Sequence, residues 1–196
     1  MKDLTDLVII IDRSGSMHGL EKDVVGGFNS LIEDQKKIGE TEVTTVFFND
    51  KISFVHESVN IKEITELNQS AYRPSGCTSL LDAIGDAITY IKAKHANLKE
   101  DELPSHTIFS IVTDGMENSS KEYSYSKIKE MITFQKKCGW EFIFQAANID
   151  YEYEAENLGI DKGMTMGFVA SREGVARMMK NTSAKVKNLR SSIKNK

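Results

Sequence analysis

"VIIIDRSGSMHG", residues 8–19, sets an apolar run against a cluster of small polar groups. Val8, Ile9, Ile10 and Ile11 are β-branched, which favours an extended, buried strand. The run ends abruptly in Asp12, and Ser14 and Ser16 follow at a spacing of two. In an extended loop that spacing points both hydroxyls the same way, and Gly15 between them is expected to allow a sharp turn. A strand that ends in one carboxylate and two hydroxyls calls for something at its carboxyl end to receive them.

Working outward, apolar runs and helical stripes alternate. Val24, Phe28, Leu31, Ile32 and Gln35 recur at helical spacing, with Gly39 beyond them as a stop. Residues 42–50 read as a strand, and "ND" turns into a second strand at 51–59, making a hairpin. Residues 60–67 read as a short helix, and "YRPSGCTS", 72–79, as a loop punctuated by Pro74 and Gly76. Leu80, Leu81, Ile84, Ala87, Ile88 and Ile91 mark a helix. A strand at 106–115, a helix at 124–137, a strand at 140–148, a helix at 151–158 and a short edge strand at 163–168 follow. A last helix starts at Ser171 as N-cap, with the stripe Val175, Met178, Met179, Thr182, Val186, Leu189 and Ile193. The alternation predicts an α/β fold: a mostly parallel sheet with helices on both faces and the hairpin strand as an antiparallel edge. The chain of 196 residues is expected to form one domain, 1–196, with a core at about 4–170 and a basic C-terminal helix at 171–196.

In such sheets ligands bind at the carboxyl ends of the strands. The first strand delivers Asp12, Ser14 and Ser16 there, the 72–79 loop delivers Thr78, and the 106–115 strand delivers Thr113 and Asp114. All are oxygen donors, with no His or Cys in the principal set. Hard divalent cations select such donors: Mg²⁺ first, with Mn²⁺ or Ca²⁺ as alternatives. "DRSGS" at 12–16, "GCTSLLDAI" at 76–84 and "VTDG" at 112–115 together resemble the von Willebrand factor A domain with its metal-ion-dependent adhesion site, written DxSxS, a distant Thr and a distant Asp. The likeness is to compact stand-alone bacterial members, some of which accompany tellurium-resistance or stress-response genes. The resemblance implies a Rossmann-like three-layer α/β/α sandwich with a six-stranded sheet ordered 3-2-1-4-5-6. It implies that Ser14, Ser16 and Thr78 bind the metal through hydroxyls, while Asp12 and Asp114 act directly or through water. It also implies a binding module, in which the Asp or Glu carboxylate of a partner protein fills the open metal position, and in some members the last helix shifts.

Around this set, Arg13, Met17 and His18 are candidates for the rim that meets a partner, although Arg13 reads equally well as a solvated loop residue. Glu117 and Asn118 are further rim candidates, with capping of the 124–137 helix as the other reading. Thr78 also suits an N-cap for the helix at Leu80. Cys77 is expected to be a buried, inert thiol.

Other functions fit less well. An aspartyl-phosphate phosphatase carries a second Asp two residues after the first as general acid, and here that position is Ser14. There is no GxxxxGK[ST] loop and no GxSxG. Net charge is −4, yet residues 171–196 hold Arg172, Arg177, Lys180, Lys185, Lys187, Arg190, Lys194 and Lys196 against the single acid Glu173. A salt-sensitive nucleic-acid or acidic-surface binder is therefore an alternative, but no aromatic residues interleave these cations. The start, "MKDLTDLVIIID", is too short and too acidic for a signal peptide, no run suits a membrane span, and the two cysteines fit no metal pattern, so a cytoplasmic setting is expected.

Overall fold

The computed structural model describes residues 2–192. Its elements are β1 (Lys2–Asp12), α1 (Glu21–Lys36), β2 (Thr41–Phe48), β3 (Ile52–Asn60), α2 (Leu80–Ala96), β4 (Pro104–Thr113), α3 (Tyr125–Lys137), β5 (Glu141–Ala146), α4 (Tyr151–Leu158), β6 (Thr165–Gly167) and α5 (Arg172–Ser192). The sheet runs β3-β2-β1-β4-β5-β6. β1 pairs in parallel with both β2 and β4, while β3 is antiparallel to β2. This is the expected order, with the hairpin strand at one edge.

β1 is apolar from Leu7 to Ile11 because both its faces are covered. Leu7, Ile9 and Ile11 pack beneath α1 and α5. Val8 and Ile10 pack beneath α2, α3 and α4. Each such side chain is at most 1% exposed, and burial of that kind stabilises by about 1.5–3 kcal/mol per residue. The stripes of α1 and α2 face the sheet at the expected positions. Ser171 caps α5, accepting a hydrogen bond from the Gly174 N–H at 3.1 Å. Ile193 of the expected C-terminal stripe lies outside the described residues.

Three expectations change. Residues 60–67 form only a 3₁₀ turn, Ile61–Glu63, because the Asn60 side chain accepts from the Lys62 N–H and Ile64 is already extended. Burial of Ile61 and Ile64 on one side of that turn accounts for their helix-like spacing. The strand expected at 140–148 stops at Ala146. The cations of the last helix are not all solvated: Arg190 is buried, its guanidinium donating to Gln35 Oε1 at 3.3 Å and to the Glu40 carbonyl at 3.4 Å. Lys185 donates to the Gly163 carbonyl at 2.5 Å. Two of the tail's charges therefore hold α5 in place rather than forming a free basic surface.

α5 lies against α1 through both apolar and polar contacts. Gln145 on β5 hydrogen-bonds Thr182 at 2.6 Å, and Gln35 donates to the Ser183 carbonyl at 3.2 Å. Gly27 lets the two helices approach, since a Cβ there would sit 2.6 Å from Met179 Cγ, whereas one at Gly26 would meet nothing within 4 Å. Alanine favours a helix interior over glycine by about 0.5–1 kcal/mol. Gly26→Ala is accordingly expected to raise the unfolding free energy by that amount, and Gly27→Ala to lower it by about 1 kcal/mol as Met179 is displaced. Denaturant unfolding of both variants checks the pair, and equal gains would refute the close approach.

Candidate functional site

The carboxyl ends of β1 and β4 lie side by side, so Asp12 and Asp114 arrive together from two central strands. Asp12 is fully buried. Its Oδ1 accepts from the Ser14 N–H at 2.7 Å and its Oδ2 from the Thr113 hydroxyl at 2.6 Å. The Tyr72 hydroxyl donates to the Asp12 carbonyl and fixes the strand end. Ser14 Oγ lies 3.0 Å from Ser16 Oγ, and Ser16 Oγ donates to Asp114 Oδ1 at 2.5 Å. Thr78 closes the group: a Cβ placed on Gly115 would stand 3.6 Å from Thr78 Oγ1 and 3.7 Å from Ser16 Oγ. Three distant segments thus bring Asp12, Ser14, Ser16, Thr78 and Asp114 to one place.

The electrostatics are unbalanced. Burial raises the Asp12 carboxyl above the usual carboxylate range, against hydrogen bonds from Thr113 and Ser14 that lower it, and the Asp114 charge raises it further. Burial likewise raises Asp114, against its hydrogen bond from Ser16. Among the described residues neither carboxylate forms an ion pair; their partners are neutral hydroxyls and N–H groups. Asp6, equally buried halfway along β1, is held by Lys94 Nζ at 2.6 Å and by His95 Nε2 at 2.6 Å. A buried charge without a countercharge is costly. The donors of this set are of the kind that hold a hard cation. They are all oxygens, and among the described residues no cluster of three or more His, Cys, Asp or Glu offers a softer alternative.

The neighbouring loops are stitched into place by contacts invisible in the sequence. Asn118 Oδ1 accepts from the Thr78 N–H at 2.9 Å, and the Asn118 N–H donates to the Thr78 carbonyl at 3.0 Å. Glu117 accepts from the Ser119 and Ser120 N–H groups and, at 3.0 Å, from the Leu81 N–H in the first turn of α2. Glu117 therefore caps α2, not the following helix, which Ser124 caps. Ser79, not Thr78, occupies the N-cap of α2, so the Thr78 hydroxyl is not spent there. Asn49, which sequence reasoning missed, donates to the Ser75 carbonyl at 2.8 Å and holds the 72–79 loop to the β2–β3 turn.

Other expected features move. Met17 is fully buried in the core under α1, so its side chain does not reach a rim. Cys77 is exposed rather than buried. Gly15 lacks a positive φ, and a Cβ there would make ordinary contact with the Gly76 carbonyl at 3.5 Å; the position requiring glycine is Gly76, at φ +74°. Arg13 is half-buried, 3.4 Å from Ser53 Oγ, with its Nε buried and unpartnered. His18 is exposed and pairs with Glu21 at 3.1 Å.

No family model and no curated protein matches the sequence. Solved structures do match its fold. One is proximal thread matrix protein 1 of the mussel byssus with a zinc-occupied MIDAS motif, at 13% identity and a TM-score of 0.65 over 93% of this chain and 46% of that one. Another is the PilB minor pilin of Streptococcus sanguinis, at 13% identity and 0.67 over 95% and 62%. A third is the von Willebrand factor domain of a type V pilus tip protein from Porphyromonas gingivalis, at 10% identity and 0.65 over 95% and 96%. The chain spans about half the length of the mussel protein and under two thirds of the pilin. Among the described residues no helix is long and apolar enough to cross a membrane.

Two outcomes follow from this geometry. Asp114 has its folded pKa above its unfolded value, so the penalty of keeping it ionised is absent below the unfolded pKa and complete once pH rises through the folded one. In chelator at neutral pH, Asp114→Asn is expected to melt no lower than the parent, with any advantage vanishing in acid; thermal scans across pH check this. Asn118→Ala, which removes the acceptor for the Thr78 N–H, is expected to cost about 1 kcal/mol in chemical denaturation, and Asn118→Asp to recover most of it.

Proposed function

Taking the chain as a von Willebrand factor A fold, we propose that it is a metal-dependent protein-binding module rather than an enzyme. The observation that carries this reading is the buried, uncompensated carboxylate pair ringed by three hydroxyls at the carboxyl edge of the sheet. Asp12, Ser14, Ser16, Thr78 and Asp114 would hold a divalent cation, Mg²⁺ or Mn²⁺ by donor hardness, with Ca²⁺ as an alternative. Zinc occupies the MIDAS motif of the mussel neighbour, which adds a further metal to test. When bound, the cation supplies a Lewis-acidic position for an Asp or Glu carboxylate of a partner protein.

The chain's own residues do the rest. Asp12 is immobilised by Thr113, Ser14 and Tyr72, so its carboxylate needs no rearrangement on binding. Ser16 is exposed while Ser14, Thr78 and Asp114 are buried, so the site opens on one side only. At the position where a phosphatase places its general acid, the Ser14 hydroxyl hydrogen-bonds Ser16 and offers no carboxyl to protonate a leaving group. The exposed free thiols of Cys77 and Cys138 suit a reducing, cytoplasmic setting.

Thermal unfolding with Mg²⁺, Mn²⁺, Ca²⁺ or Zn²⁺ against chelator tests the reading. Metal at about 100 times Kd stabilises the native state by about 2.7 kcal/mol, a rise in midpoint of roughly 5–10 °C for a chain this size. The rise is expected to vanish in Asp114→Asn and Ser16→Ala. No rise with any metal in the parent, or an equal rise in the variants, would overturn the assignment.

A further inference from the structure

Beside the metal loop a groove of about 450 Å³ runs between the start of α1, the 69–74 segment and the first residue of α5. Tyr72 joins it to the site, since this residue lines the groove and its hydroxyl holds the Asp12 carbonyl. His18 and Gly19, just past Ser16, form the near wall.

The groove's charges are not equally free. Glu21 is engaged within its own loop, where the backbone N–H groups of Glu21 and Gly19, and then the His18 ring, hold its carboxyl below the usual range. Asp23 faces Arg172 at 3.9 Å, beyond hydrogen-bond distance, and its Oδ2 is buried with no hydrogen-bond partner. Lys22 and Arg73 are both exposed, and neither forms an ion pair among the described residues; the Arg73 Nε donates only to the Ser70 carbonyl at 3.3 Å. Glu21 and Asp23 each face a basic side chain, whereas Lys22 and Arg73 have no acidic partner among the described residues, so these two cations remain to meet an anion beside a site whose donors suit a hard cation.

Resting on the metal-site reading above, we propose that this groove binds the stretch of an acidic partner peptide next to the metal-ligating residue, with Lys22 and Arg73 receiving a second Asp or Glu. Recognition then has two parts. The metal site demands one carboxylate, and the groove selects segments that carry another a few residues away. The exposed ion pairs contribute modestly each and are sensitive to salt, so they discriminate among partners more than they anchor them.

The test is selection of random linear peptides displayed on phage against the full chain, in millimolar Mg²⁺ or Mn²⁺ and in chelator. Peptides retained only with metal are expected to share one acidic residue and a second at constant spacing. The double variant Lys22→Ala, Arg73→Ala is expected to retain the first preference and lose the second, and to bind the parent-selected peptides roughly three- to tenfold more weakly. Its unchanged rise in melting point with metal would show that the fold and the metal site are intact. A single acid in the parent's peptides, or a second acid that persists in the double variant, overturns the groove while leaving the metal site standing. Peptides retained equally in chelator overturn both.

Discussion

The arrangement at the carboxyl edge depends on one constraint: Asp12 is a carboxylate in the middle of the core with only neutral hydrogen-bond donors around it. The chain could have spared this cost by placing a lysine nearby, and halfway back along the same strand it does so. Asp6 is as buried as Asp12 yet sits between Lys94 and His95, with Glu42 sharing the lysine at 2.5 Å. One strand therefore carries two buried acids with opposite solutions. The neutralised acid fastens the last turn of α2 to the sheet, where cations also suit the helix dipole. The other is left without a countercharge, held only by neutral donors where the sheet's carboxyl edge begins.

The surroundings keep that charge in place. Tyr72, Asn49 and Gly76 shape the 72–79 loop, and Asn118 and Glu117 bind its end and the first turn of α2 to the segment that follows β4. The hydroxyl of Thr78 is thus positioned by a residue four places beyond Asp114, so that the two distal donors form a single mechanical unit. The same segment is further tied by Asp82, which accepts from the N–H groups of Lys121, Glu122 and Tyr123. A site made of short side chains has little reach of its own, and this bracing supplies the accuracy that longer ligands would otherwise provide.

Much of this was legible in advance, for identifiable reasons. The stripe of α1 and the two-sided burial of β1 follow from periodicity, which survives without tertiary information. The donors Asp12, Ser14, Ser16, Thr78 and Asp114 could be grouped because open α/β sheets collect their ligands at one edge, whereas the order of the strands needed a family resemblance. What escaped depends on where a loop side chain points. Met17 follows two polar serines yet turns inward, Cys77 precedes a buried threonine yet turns outward, and Glu117 caps a helix 36 residues before it in the chain. The 60–67 segment misled because two isoleucines three apart satisfy a single turn as well as a helix.

The position of the site on β1 and β4 has one more consequence. These are the two central strands, each hydrogen-bonded on both flanks, and both run toward the site. A load applied at Asp12 and Asp114 along the strand axes would meet both strands end-on. Such a load would be shared by the flanking hydrogen bonds in shear, whereas one across the edge strand β3 would open them one after another. The placement that gathers the oxygen donors also backs that corner of the molecule with ladder hydrogen bonds on both sides.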